Sequence, residues 1–445
     1  MAEKMKPSGI DWIGDIPNNW ETSRIKYHYQ ISLGKMLQPI QENSTDTLEH
    51  YMCSANITWA GVDTSILKQM WFSPAEKKQY RLLDGDLLVS EGGDVAVSCI
   101  WRNELDECYL QNAVHRVRQN ALSDNRFIYY WLFFLKNYGI VDLICNKATI
   151  AHFTKEKFGE LPICIMSIDE QVAIADFLDK ECAQIDGIAA DLEKQIELLQ
   201  QYKKSLITET VTKGLDKSVP MKDSGVEWLG KIPAHWNFKR LKFMLENSSD
   251  SMKVGPFGSA LSGSDFTDEG KWVYNQRVVL DNNFSENTTF VSEEKFQEMR
   301  SFAVYPGDIL ITTRGTIGKV AIVPEGANEG ILHPCIIKFR VDKEMIIPEL
   351  LQLIFNESDF VKDQFTLMSN ATTIEVIYSY SLKDILLPVI PADEQEKIYG
   401  YLSKKCIAID GIISEKQKAL ATIIQHKKSL IYEYVTGKKR VKEVR

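Results

Sequence analysis

Eight cysteines, seven histidines and 61 carboxylates are raw material enough for a metal site, a nucleophile or an acid/base pair. Their spacing decides against each. Cys53, Cys99, Cys108, Cys145, Cys164, Cys182, Cys335 and Cys406 include no Cys-x-x-Cys pair and have no His-x-x-x-His nearby. Zinc therefore lacks a ligand set, and scattered reduced thiols remain. Gly318-Lys319 lacks the upstream Gly and the following hydroxyl residue of a phosphate loop. Glu293-Glu294-Lys295 has nuclease-like components, but such triplets arise by chance in an acidic chain. Gly-x-Gly-x-x-Gly, His-Glu-x-x-His, Gly-x-Ser-x-Gly and Asn/Asp-Pro-Pro-aromatic are absent. No catalytic residue and no metal ligand is assigned. The chain is expected to recognise, not to catalyse.

What the sequence does contain is a repeat. Ser8 to Lys26, SGIDWIGDIPNNWETSRIK, returns as SGVEWLGKIPAHWNFKRLK from Ser224 to Lys242. Asp169 to Ile188, DEQVAIADFLDKECAQIDGI, returns as DEQEKIYGYLSKKCIAIDGI from Asp393 to Ile412, and both copies run on to a Lys-Lys-Ser-Leu-Ile segment. Between the paired blocks the halves diverge. A scaffold written twice around two variable inserts presents two related surfaces that differ in what they recognise. His115 and His333 fall at matching places in the inserts, which favours a structural or recognition role over metal ligation.

The order is module, helix, module, helix: residues 1–168, 169–213, 214–391 and 392–445, the last with a basic tail. The helices follow from Leu178, Ile185, Leu192, Leu199 and Leu206 at every seventh position, matched by Leu402, Ile409, Lys416, Ile423 and Leu430. That is a coiled-coil seam. Cys182, Ala189 and Ile196, matched by Cys406, Ile413 and Leu420, give it a second row. Antiparallel pairing of the two helices is expected, each about 60 Å long at 1.5 Å per residue. Gly187 and Gly411 sit inside them, where Gly costs about 1 kcal/mol against Ala. Close helix approach or a shared bend would account for them. Lys203-Lys204-Ser205 and Lys427-Lys428-Ser429 either complement the helix dipole or contact a partner.

The modules mix strand and helix. Asp84–Val89 and Pro306–Ile311 are turn-led strands, Phe127–Tyr138 and Pro348–Phe355 core helices, and GELPICI and DILLPVI strand-like exits. Trp12, Trp20, Trp228 and Trp236 are read as packing anchors. The fold class is α+β: two mixed α/β domains separated by two long antiparallel coiled-coil helices, with a pseudo-twofold internal repeat.

Composition is that of an ordinary globular protein, with 44% hydrophobic and 25% charged residues in 445, enough for two to four domains. The start, MAEKMKPSGIDW, holds no apolar run for a signal peptide, no stretch of about 18 apolar residues occurs, and a cytoplasmic location is expected. The net charge of −9 argues mildly against a polyanionic partner. From Asp393 onward, however, twelve Lys and Arg face seven Asp and Glu.

The paired openings, the paired DEQ-led helices, Gly34-Lys35-Met36-Leu37-Gln38, Glu91-Gly92-Gly93-Asp94 and Gln111-Asn112-Ala113-Val114-His115-Arg116 closely resemble the specificity subunit of type I restriction-modification systems. So do Gly255-Pro256-Phe257-Gly258-Ser259 and Arg314-Gly315-Thr316-Ile317-Gly318. The resemblance runs in order along essentially the whole chain. It implies two target-recognition domains, each reading one half of a split, asymmetric double-stranded DNA site, with the helices setting the spacer and docking two modification subunits. It also implies that S-adenosylmethionine, ATP and Mg are used by the modification and restriction subunits, and that this chain binds no cofactor and no membrane. A non-catalytic coiled-coil scaffold that binds proteins instead is the alternative, supported by the acidic charge.

Arg reads guanine and Asn or Gln reads adenine in the major groove, so polar and basic residues in inter-strand loops are the candidate DNA contacts. In the first module these are Lys35, Gln38, Asn56, Asn112, His115, Arg116, Lys147, Thr149 and His152. In the second they are Lys253, Ser259, Asn275, Arg277, Arg314, Thr316, Lys319, Asn370, Thr372 and Thr373. Asn56 or Asn112 could equally cap a turn.

Overall fold

The computed structural model describes residues 4–145, 152–257, 260–369 and 376–441. Two compact units emerge: residues 1–193 with 418–445, and residues 194–417. Each long helix is divided between them, so compactness groups the chain differently from the four-part reading of the sequence.

In the first unit the labelled elements are β1 (Glu21–Arg24), β2 (Tyr29–Leu33), β3 (Thr47–Met52), β4 (Lys68–Phe72), β5 (Leu87–Ser90), β6 (Ser98–Ile100), β7 (Tyr109–Leu110), β8 (Val114–Gln119), helix α1 (Asn125–Asn137), β9 (Pro162–Ile165) and helix α2 (Ile168–Lys213). An antiparallel sheet has the order β6-β5-β8-β2, and a second sheet the order β7-β3-β4 with β7 and β3 parallel. Helix α1 starts where the Asp124 carboxylate accepts from the backbone N–H groups of Arg126 and Phe127, an N-cap. Its apolar residues Phe127, Trp131 and Phe134 fill a core with Leu87, Val89 and Val117 of the first sheet. β1 and β9, the entry and exit of the module, pair antiparallel.

The second unit repeats this plan with β10 (Asn237–Arg240), β11 (Met252–Val254), β12 (Phe266–Thr267), β13 (Lys271–Tyr274), β14 (Phe290–Val291), β15 (Ala303–Val304), β16 (Ile309–Thr312), β17 (Val320–Ile322), β18 (Gly330–Leu332), β19 (Ile336–Phe339), α3 (Pro348–Glu357), β20 (Leu386–Val389) and α4 (Ala392–Val435). The order β17-β16-β19-β11 matches the first sheet strand for strand. The other sheet has five strands, β12-β14-β13-β18-β15, with β13 and β18 parallel. β10 pairs with β20 as β1 does with β9.

Repeated residues turn out to be the fastenings. Trp20 and Trp236 are fully buried, each against the glycine that ends a long helix: a Cβ on Gly437 would lie 3.0 Å from the Trp20 ring, and one on Gly214 3.3 Å from Trp236. Both glycines have positive φ, 72° and 73°, the left-handed turn that closes a helix. Trp12 packs on Trp131 and Phe134, and Trp228 on Phe360, although Trp228 is 42% exposed. The Gln of each DEQ triplet is buried. Gln171 donates to Leu122 O and Met166 O and accepts from Asp124 N–H; Gln395 donates to Met345 O and Ile390 O and accepts from Ile347 N–H. Each thereby fixes the first turn of its long helix to the loop that opens its module's core helix.

Within each unit the helices run antiparallel. Phe177 meets Tyr434 and Asp186 meets Lys427 in the first; Gln195 meets Lys416 and Lys203 meets Asp410 in the second. The Asp186–Lys427 and Asp410–Lys203 pairs, at 2.7 and 2.8 Å, are one interaction made twice with the partners exchanged. The first Lys of each Lys-Lys-Ser segment thus has an intramolecular acid. The seam is not uniform: Leu178, Ile185, Leu402, Ile409 and Leu430 are buried, whereas Leu192, Leu199, Leu206 and Ile423 are half-buried. Leu178, Ile185 and Leu430 belong to the first module's core and Leu402 to the second's, so the helix ends cover modules as well as each other. Gly187 and Gly411 do not mark a close approach within the chain, since a Cβ on either would meet nothing within 4 Å.

Candidate nucleic-acid interface

Strand direction gathers the loops of each module at one end of its four-stranded sheet. In the first module β2 ends, β5 ends and β8 begins there, because Leu33 pairs with His115 and Ser90 with Val114. The loops at 34–38, 91–97 and 111–113 therefore lie side by side. Backbone hydrogen bonds join them: Lys35 N–H to Leu110 O, Asn112 N–H to Lys35 O, Glu91 N–H to Ala113 O. Ser54 Oγ donates to Ala113 O at 2.6 Å, bringing in the loop after β3. Phe153 N–H donates to Glu91 O, so the chain that follows residue 151 returns to the same end.

The second module builds the same cluster from 255–257, 313–319 and 333–335, with Gly255 N–H on Ile336 O and Thr313 N–H on Cys335 O. Asn275 to Arg277 follow β13 into it, where Gln276 Nε2 donates to Thr316 O. Ile377 N–H donates to Thr313 O, as Phe153 does to Glu91.

Several candidate contacts lie inside this framework, not on its surface. His115 is fully buried, its Nε2 2.6 Å from Phe153 O, and burial pushes its pKa below the ordinary value near 6.5. The Nε2 must carry the proton to donate to that carbonyl. Arg116 is buried and donates to Gln79 O and Arg81 O. Lys35 is buried, paired with Glu76, and lies over the Phe72 ring. Asn56 is buried and caps its turn, donating to Asp63 O and Ile66 O. Asn275 caps a short helix, accepting from Arg277 and Val278 N–H. Lys253 lies over Phe302 and half-buried Lys319 donates to Asn356 O. Gln38 and Asn112 are half-buried, and each accepts from a neighbour, Lys35 and Gln111 respectively.

His152, Arg277, Arg314 and Thr316 are exposed. Arg277 pairs with Asp281 at 3.4 Å, while Arg314 makes no side-chain hydrogen bond or ion pair among the described residues. Lys147, Thr149, Ser259, Asn370, Thr372 and Thr373 lie outside the described residues. Two groups had no sequence signal as contacts: Gln276, which props the Arg314 loop, and exposed Lys155, directly after the pinned Phe153. Among the described residues there is no cluster of metal-ligating side chains, and no helix is long and apolar enough to cross a membrane.

Two copies of one α/β module, each displaying a loop cluster on a rigid sheet end and each fastened to a long helix, define a duplicated recognition protein. The sequence profile of the type I restriction modification DNA specificity domain matches residues 17–198 and 253–421, one match per repeat, and the chain belongs to that family. It is 24% identical over 441 residues to the type I restriction enzyme MjaVIII specificity subunit of Methanocaldococcus jannaschii, covering 96% of this chain and 95% of that one. It is 22% identical over 377 residues to the EcoBI specificity subunit of Escherichia coli, covering 82% and 76%. A chain from a solved structure on assembly and conformational transition of the type I R-M system shares the fold, with a TM-score of 0.69, 13% identity and coverage of 95% and 99%.

Proposed function

We propose that this chain is the specificity subunit of a type I restriction-modification enzyme, a DNA reader whose two modules each recognise one half of a bipartite, asymmetric site. The observation that carries the reading is the loop cluster itself: built twice at the same sheet end, tied in both by matching bonds (Glu91 N–H to Ala113 O and Phe153 N–H to Glu91 O; Thr313 N–H to Cys335 O and Ile377 N–H to Thr313 O), and furnished with different side chains. Rigid mounting with variable chemistry is what sequence readout requires. Arg314 and Arg277 in one module and His152 in the other are the accessible groups for bases or phosphates; the buried candidates act by shaping the loops.

The helices α2 and α4 set the distance between half-sites and dock two modification subunits. The repeated, open faces at Gly187 and Gly411, each followed by an exposed Ile (Ile188, 49%, and Ile412, 43%), supply two similar docking places. Methyl transfer from S-adenosylmethionine and ATP- and Mg-dependent cleavage belong to the modification and restriction subunits. The chain binds no cofactor of its own and works in the cytoplasm, where the chromosome is.

Single-molecule methylation sequencing of a genome exposed to this chain and its modification subunit tests the reading. A split asymmetric motif that vanishes when the gene is deleted is expected; methylation indifferent to the deletion would favour a protein-binding scaffold. Replacing residues 238–390 with another module should change one half-site, and inserting seven residues after both Leu199 and Ile423 should lengthen the spacer alone.

A further inference from the structure

Two of the most exposed large apolar side chains occupy the same place in the two modules. Met36 is 76% exposed and Phe257 81%. Each stands two residues after the glycine that follows the edge strand of its four-stranded sheet, Gly34 after β2 and Gly255 after β11. Neither glycine tolerates a side chain: a Cβ on Gly34 would lie 2.4 Å from the Gln111 backbone, and one on Gly255 2.2 Å from His333 O. The loop is thereby clamped against its neighbour, by Lys35 N–H on Leu110 O directly after Gly34 in one module and by Gly255's own N–H on Ile336 O in the other.

A single exposed apolar residue needs no explanation. Two at equivalent, rigidly held positions do, because the modules otherwise diverge where they face a ligand. Polar groups at this end differ between modules, as readers of different half-sites must. The apolar tip is shared, so its task is one that does not depend on base sequence. Met and Phe are among the side chains that enter a duplex between base steps and partly unstack them.

We propose that Met36 and Phe257 are equivalent apolar wedges, each pressed against the stacked bases of one half-site and loosening one base step there. The inference rests on the DNA-reading function above. The two side chains then contribute to affinity without touching phosphate, so the salt dependence of binding is set by other residues.

The test uses the full chain assembled with its modification subunit and duplexes carrying its own methylation motif, with 2-aminopurine substituted position by position. Met36→Ala should abolish a fluorescence increase at one position in one half-site, and Phe257→Ala in the other. Duplex affinity should fall about tenfold in each variant, with an unchanged slope of log affinity on log salt, and Phe257→Leu should restore most of both signals. Parent-like fluorescence and affinity in both Ala variants would overturn the wedge. So would loss of modification-subunit binding in place of DNA binding, which would make the tips a protein interface. If the parent assembly itself fails to bind its motif, the function proposed above fails, not the wedge alone.

Discussion

The two modules agree strand for strand in one sheet and part company in the other. The four-stranded sheets share order and direction, whereas the second sheet has three strands in one module and five in the other. Sequence repetition follows the same division. Trp20 and Trp236, Gln171 and Gln395, Gly437 and Gly214, and the exchanged Asp–Lys pairs all fasten a module to a helix. Arg24 and Lys26 pair with Glu160 as Arg240 and Lys242 do with Asp384, closing the strand clasp in both copies. What these repeated residues encode is therefore attachment, while most of the polar surface of the modules is written once. Substitutions at equivalent fastenings should have equal effects, except where the surroundings differ.

The largest equal effect is expected at the glutamines. Gln171→Ala or Gln395→Ala strips partners from one backbone N–H and two carbonyls in a buried joint. About 3 kcal/mol should be lost in each case, read by chemical denaturation. A difference above about 1.5 kcal/mol between the two would mean the joints are not equivalent.

The tryptophans should differ. Trp236 Nε1 donates to Glu394 Oε2 at 3.0 Å, while Trp20 Nε1 has no acceptor among the described residues and the matching Glu170 pairs with Arg440. Both Phe substitutions remove similar apolar area, but Trp236→Phe also discards a hydrogen bond to a charged group. It should cost about 1.5 kcal/mol more than Trp20→Phe. Equal losses would show that Glu394 contributes nothing through the indole.

Much of this plan was legible in the sequence, and the reason it became illegible is local. Heptads placed both long helices because one face of each is apolar along most of its length, interrupted only at Lys416 in the second, and the exit strands were visible as apolar runs between turns. The loop contacts were harder. Val114, His115, Arg116 and Val117 are all buried in β8, a central strand with α1 on one face and the second sheet on the other. A strand covered on both faces normally reads as a continuous apolar run, and Val-His-Arg-Val-Arg-Gln does not, so His115 and Arg116 read as accessible residues. Gln171 and Gln395 were hidden for the opposite reason: a Gln in the first turn of a helix looks solvated until the loop that covers it is known.

The histidines set a smaller, pH-dependent contrast. Burial lowers the pKa of both, but His115 is fully enclosed and His333 half-buried, with its Nδ1 accepting from Cys335 N–H. The unfolded chain binds a proton near pH 6.5 and the folded one only below that. Stability due to His115 is therefore intact above about pH 6.5 and falls as pH drops below it, by at most about 1.4 kcal/mol per pH unit. Protection factors of the Val114–Gln119 amides, corrected for the slower intrinsic exchange at lower pH, should fall accordingly between pH 6.5 and 5.5, and His115→Gln should remove that part of the pH dependence. A slope unchanged by His115→Gln would assign the acid sensitivity to carboxylates.

The smallest expected effect separates the exchanged ion pairs. Lys203 keeps Glu357 at 2.7 Å when Asp410 is neutralised, whereas Lys427 loses with Asp186 its one acidic partner among the described residues and retains the Phe133 ring at 5.5 Å. The aspartates are more than half exposed, 54% and 59%, so neither pair contributes as a buried one would. Asp186→Asn should cost about 1 kcal/mol at low salt and Asp410→Asn roughly half of that or less, both fading as salt is raised. Measured together, the two also bear on register: the pairs tie the same helix positions in opposite halves, so a charge exchange, Asp186→Lys with Lys427→Asp, should recover what Asp186→Lys alone loses. Failure of the exchange to recover it would show that seam packing, not charge, holds the helices in step.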